Sequence, residues 1–87
     1  METKVLTGEV EILKSKGYFR IKNTISEKVY LFRYDYKEGN LYLIEDGKKF
    51  TVRNPGSALY AFAAQKSYFE VLLESHQTLF LENIIIC

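Results

Sequence analysis

The chain has 87 residues, with 12 Lys+Arg against 11 Asp+Glu, 47% hydrophobic residues and 15% aromatic residues. This length holds one domain, residues 1–87, whose core is thin because only about 60% of the unfolded surface is buried at this size. The apolar and aromatic content excludes global disorder, no apolar run approaches the roughly 18–20 residues that span a bilayer, and a net charge of +1 is too small to name a partner by itself.

The opening Met1-Glu2-Thr3-Lys4 lacks the apolar segment of a signal peptide. Residues Lys4–Lys14 alternate, with Leu6, Val10 and Ile12 on one side and Glu9 and Glu11 on the other, which predicts a strand. Ser15-Lys16-Gly17 turns the chain into a second strand over Tyr18–Asn23, where Phe19 and Ile21 oppose Tyr18, Arg20 and Lys22. Asn23–Lys28 reads as a polar loop and Val29–Tyr36 as the most β-like stretch of the chain. Asp46-Gly47, between Leu41–Glu45 and Lys48–Arg53, predicts a type I′ hairpin, because both central residues of that turn need φ > 0.

Asn54-Pro55-Gly56 punctuates the sequence, Ser57 can cap a helix, and Ala58–Lys66 is rich in alanine and predicts that helix. Tyr68–Glu74 alternates and reads as a strand, and Thr78–Ile86 as a final apolar strand. The expected fold is mainly β, a small antiparallel barrel or curled sheet with one short helix and a C-terminal strand. So many strands in so short a chain must close on themselves or hide their edges. Ala58, Phe62, Phe69 and Leu72 also fit helical spacing, so the alternative is an α+β meander with one longer helix over residues 57–75.

Chemistry-bearing constellations are sparse. His76 stands alone in a Ser75-His76-Gln77 turn, without the second histidine or thiols of a metal site. No Ser-His-acid set and no glycine-rich phosphate loop is recognisable, and Glu9, Glu11, Glu45 and Asp46 read as solvated strand and turn residues. The lone Cys87 excludes an intramolecular disulfide framework. These features predict a non-enzymatic protein with no cofactor and no metal, in a reducing, cytoplasmic location.

The aromatic residues are more informative. Tyr30, Phe32, Tyr34 and Tyr36 recur at every second position, so a strand presents all four on one side. Tyr18, Arg20 and Lys22 share a side of the neighbouring strand. With the two sets placed together and facing water, flat rings lie edged by cations. Single-stranded RNA or DNA is held in this way, by base stacking and phosphate neutralisation. The competing reading makes the ring side a core and leaves Arg33 and Asp35 as the exposed pair.

At these residues the sequence resembles a cold-shock domain, a small OB-fold barrel. Thr7-Gly8-Glu9-Val10 is similar to the family's opening Gly-x-Val strand, and Lys16-Gly17-Tyr18-Phe19-Arg20-Ile21 to its Lys-Gly-Phe-Gly-Phe-Ile motif. Val29-Tyr30-Leu31-Phe32 resembles the start of its Val-Phe-Val-His motif, and Asp46–Val52 a later strand. The resemblance covers about residues 7–54 and implies an OB-like fold that binds single strands. It implies Tyr18, Arg20, Tyr30 and Phe32 as stacking or contact residues and Lys16 as a phosphate contact. With the parity argument, the expected nucleic-acid site is Lys16, Tyr18, Arg20, Lys22, Tyr30, Phe32 and Tyr34. The sequence departs from the family at Phe19 and Arg20, which stand for its second glycine and second ring, and residues 57–87 have no counterpart in it.

A second functional reading is compositional. Phe, Tyr, Met, Ile, Asn and Lys total 34 residues against 13 of Gly, Ala, Arg and Pro, a usage typical of AT-rich genomes including phages and mobile elements. A short domain of that origin without catalytic residues suits an accessory protein that binds and inhibits or modulates another protein. Charge is also divided. Residues 1–54 carry 11 Lys+Arg against 8 Asp+Glu, whereas residues 55–87 carry Lys66 against Glu70, Glu74 and Glu82. This division suggests a polar partner for the first part and a neutral or self-associating second part. Leu79, Leu81, Ile84 and Ile86 are the expected homodimer interface, the alternative being that this strand closes the monomer's own sheet.

Overall fold

The computed structural model describes residues 2–87, with side-chain surroundings from Thr7 onward. Its first element is a helix, α1 (Glu2–Lys16), where the alternation of Lys4–Lys14 predicts a strand. Leu6 of that alternation, like the Met1–Lys4 opening, lies outside the described side chains. From Thr7 on, Glu9, Glu11, Leu13, Lys14 and Lys16 favour a helix against Gly8 and the β-branched Thr7, Val10 and Ile12, so core packing and local partners settle it. Glu11 and Lys14 form an ion pair at 3.7 Å, and Ser15 Oγ donates to the Ile12 carbonyl. Val10 and Leu13 turn toward the core, while Ile12, expected inside, is half exposed. Gly17 ends α1 at φ +77, a conformation that favours glycine, and its N–H donates to the Lys14 carbonyl.

Four strands follow in a meander: β1 (Tyr18–Asn23), β2 (Val29–Asp35), β3 (Asn40–Glu45) and β4 (Lys48–Thr51). Each pairs antiparallel with the next. The β3–β4 hairpin has the turn expected from sequence, with Asp46 at φ +52, Gly47 at φ +73 and Glu45 opposite Lys48. The β1–β2 loop folds on Asn23, the buried polar residue whose Oδ1 accepts from the N–H groups of Ile25 and Ser26 at 2.9 and 3.2 Å.

Helix α2 (Pro55–Ala64) starts three residues ahead of the expected Ala58. Pro55 opens it, since its fixed φ and missing N–H suit a first helical position. Ser57 therefore lies inside the helix and is not its cap. Asn54 is not a side-chain cap either. Its amide accepts from Leu72 N–H and donates to the Glu70 carbonyl, tying the next strand to the helix start. Gln65 ends α2 in the left-handed region, and Lys66 N–H closes back on the Ala61 carbonyl.

The alternative of one helix over residues 57–75 is overturned, because β5 (Tyr68–Leu72) pairs with β6 (Thr78–Glu82) as a hairpin. The expected single strand over Thr78–Ile86 is two strands. Asn83, at φ +47, bends the chain so that β7 (Ile84–Ile86) leaves β6 and pairs with β1. The result is a five-stranded sheet in the order β4-β3-β2-β1-β7 beside the β5–β6 pair. The two meet at the Val52–Leu73 bridge and at Asn83. The fold is mainly β with two helices, and its sheets do not close into a barrel.

The core lies on one side of the five-stranded sheet. Phe19, Ile21, Tyr30, Phe32, Leu41, Leu43 and Ile84 enter it from the sheet, Leu13 from α1, Ala58, Leu59 and Phe62 from α2, and Val71 and Leu81 from the hairpin. Phe62 is the keystone, with ring centroids 4.9 Å from Phe32 and 6.0 Å from Phe19. Among the described residues no helix is long and apolar enough to cross a membrane.

Candidate functional site

Strand parity and register together define the side of the sheet that the core leaves bare. Directly paired residues share a side. Tyr18 pairs with Arg33, Arg20 with Leu31, and Lys22 with Val29. The same side continues through Arg33–Tyr42 and Leu31–Ile44 onto β3, Tyr42–Thr51 and Ile44–Lys49 onto β4, and Lys22–Ile85 onto β7. All contributions of α1, α2 and the hairpin to the core cluster meet the opposite side, while Tyr18, Arg20, Val29, Lys49 and Ile85 on this one are exposed.

The bare side is basic. It carries Arg20, Lys22, Arg33 and Lys49 against one carboxylate, Asp35, at its end. Asp35 is occupied locally, its Oδ1 accepting from the N–H groups of Lys37 and Glu38. The ion pair among the described residues is Glu11–Lys14, on α1, so none of the four sheet cations is neutralised by a carboxylate. Neighbouring like charges on one surface raise its potential and leave it attractive to anions.

Rings and apolar side chains fill the space between these cations. Tyr18 is 58% exposed, with Arg33 Cζ 5.8 Å from its centroid. Tyr42 is nearly covered, and Lys49 Nζ lies 4.4 Å from its centroid. Each such cation–ring contact contributes about 0.5–1 kcal/mol at an exposed site and holds the cation over the sheet. Val29, Leu31, Ile44 and Ile85 complete the surface with flat apolar area.

The structure thus divides the residues expected from sequence. Tyr18, Arg20 and Lys22 stand on the bare side as expected. Tyr30 and Phe32 do not: they are 8% and 0% exposed, and Tyr34 is partly buried against the core. Their strand pairs Phe32 with Phe19 and Tyr30 with Ile21, so rings and aliphatic groups meet beneath α2. That corrects the expected platform, since Tyr30 and Phe32 are sealed from any base. Lys16 is exposed, but in the last turn of α1 rather than on the sheet. Arg33, Tyr42 and Lys49 are the residues that sequence reasoning missed. The signal for Arg33 was present, as the exposed member of its strand once the rings turn inward.

The expected dimer residues are corrected as well. Leu81 and Ile84 are buried in the monomer, and Leu79 and Ile86 pack against the same core. Of the apolar residues in Thr78–Ile86, these four turn into the chain's own core, while Phe80 and Ile85 remain 55% and 41% exposed. His76 is exposed in its turn. A cleft of about 390 Å³ opens between β3–β4 and the hairpin, with Lys28 and Glu45 over Leu43, Phe50 and Leu79, and no histidine or thiol lines it. Among the described residues no group of three His, Cys, Asp or Glu could hold a metal ion. No family model matches the chain, and neither a curated protein nor a solved structure matches it.

Proposed function

We propose that this protein is a non-enzymatic module that binds single-stranded nucleic acid across the bare side of its five-stranded sheet. The observation that carries this reading is the concentration there of Arg20, Lys22, Arg33 and Lys49, without ion-pair partners, on the same side as the exposed Tyr18 ring. Phosphates meet the cations and a base stacks on Tyr18, contributing about 1–3 kcal/mol. A single strand suits this surface better than a duplex, because the exposed Tyr18 ring can stack only on a base freed from pairing. The sequence resemblance to cold-shock domains supports the reading through the β1 residues Tyr18 and Arg20, and no longer through Tyr30 and Phe32.

Fluorescence anisotropy of a labelled single strand tests it. Binding is expected with Kd in the range of about 1–100 µM at low salt, weakening as salt rises. Arg20→Ala with Arg33→Ala removes two phosphate contacts, so the log–log salt slope falls by about 1.4 while the circular dichroism spectrum is unchanged. Absence of binding at about 100 µM protein in low salt would overturn the proposal.

A further inference from the structure

The β5–β6 hairpin turns Val71 and Leu81 into the core and leaves a second exposed β surface behind them. On that surface Tyr68 pairs with Glu82, and Glu70 with Phe80. Two rings therefore occupy one diagonal of a small square and two carboxylates the other. The rings are half exposed, with centroids 6.4 Å apart. No lysine or arginine occurs from Ser67 to Cys87, and neither glutamate is in an ion pair. The Tyr68 phenol is held above its ordinary range, first by partial desolvation, then by the Glu70 carboxylate, and last by Glu82.

The bare side of the large sheet carries complementary charge, with its two cations neighbours along β1 and apolar side chains flanking them on β2 and β7. Arg20 lies beside Leu31, and Lys22 between Val29 and Ile85. Each cation there stands one cross-strand spacing from an apolar side chain, as each carboxylate on the hairpin stands from a ring. Val29 is 47% and Ile85 41% exposed.

We infer that the hairpin's outer face docks on the bare sheet side of a second copy of this chain. Tyr68 and Phe80 seat on Leu31, Val29 and Ile85 while Glu70 and Glu82 meet Arg20 and Lys22. The occupant is a second copy because both the sign of charge and the apolar side chains beside it that are required are already present on this chain. Two different patches meet, so the contact is head-to-tail. The hairpin offers only two five-residue strands, a small face beside the roughly 800 Å² per partner of a standard interface, so the contact is weak and reversible. It uses Arg20 and Lys22, so self-docking and strand binding exclude each other; only this competition rests on the nucleic-acid reading.

Sedimentation velocity of the full chain without nucleic acid tests the docking. At about 0.5 mM and low salt, where contacts with a Kd of about 0.2–1 mM are partly populated, the weight-average mass should exceed 10.2 kDa. It should fall back to that value near 1 M salt, where the Debye length is about 3 Å. Glu70→Lys with Glu82→Lys, and separately Arg20→Glu with Lys22→Glu, should each stay at 10.2 kDa. An equimolar mixture of the two variants should raise the weight-average mass about 1.2- to 1.4-fold at that concentration, although neither variant alone leaves 10.2 kDa. A wild-type chain that stays monomeric at low salt, or a mixture that does, overturns the inference. The E70K/E82K variant keeps its sheet side, so its anisotropy titration reports strand binding separately. Failure of one idea is then visible without failure of the other.

Discussion

The two sides of the five-stranded sheet are built from the same strands and nearly the same residue types, yet they have opposite fates. Both hold tyrosine and both hold aliphatic side chains. On β2, Tyr30 and Phe32 go into the core, Phe32 against Phe62 of α2, while Leu31 and Arg33 stand on the other side. The deciding difference is charge. Cations at Arg20, Lys22, Arg33 and Lys49 fall on one side only, and burying unpaired charge costs several kcal/mol per ion. The helices and the hairpin therefore cover the side without them. A run of aromatic residues does not by itself locate a binding surface; the positions of the charged residues between them do.

Substitution on each side sharpens or breaks this contrast. The largest effect is expected from Phe32→Ala. It removes a fully buried ring that touches Phe62 and Phe19, and should lower stability by about 3–5 kcal/mol in urea or thermal melts. A Phe32→Ala protein that melts like the parent and loses nucleic-acid binding would reverse the assignment of the two sides. Tyr18→Ala is the matching change outside. The melt should move little, while affinity for a single strand drops by the equivalent of about 1–3 kcal/mol in an anisotropy titration. Smallest is Leu31→Lys, which places a fifth cation beside Arg20. Stability should change by less than about 1 kcal/mol, with strand binding tighter and its salt slope steeper by about 0.7. Loss of folding on Leu31→Lys would show that this side is covered after all.

Much of the strand pattern was legible in the residues. The Asp46-Gly47 turn, the limits of β1 and the opposition of Phe19 and Ile21 to Tyr18 and Arg20 follow from turn chemistry and alternation, and the structure has all three. Two readings went astray for physical reasons. Residues 4–14 satisfy strand alternation and helix formation at once; tertiary packing of Val10 and Leu13, with the Glu11–Lys14 pair, decides for helix. The break at Asn83 turns one apparent strand into two, and its one mark in the run Thr78–Ile86 is the polar pair Glu82-Asn83, asparagine tolerating the left-handed region.

The candidate site was half visible for a related reason. Tyr18, Arg20 and Lys22 lie within three alternate positions of one strand, so their common side is a property of local sequence. Arg33, Tyr42 and Lys49 join them only through the registers of β2, β3 and β4. The sequence alone determined which residues share a side of each strand, because backbone pleating has a period of two whatever surrounds it. Only the tertiary structure decided which side faces water, because burial depends on where Phe62 and the hairpin come to rest, and that is settled by contacts between residues far apart in the chain.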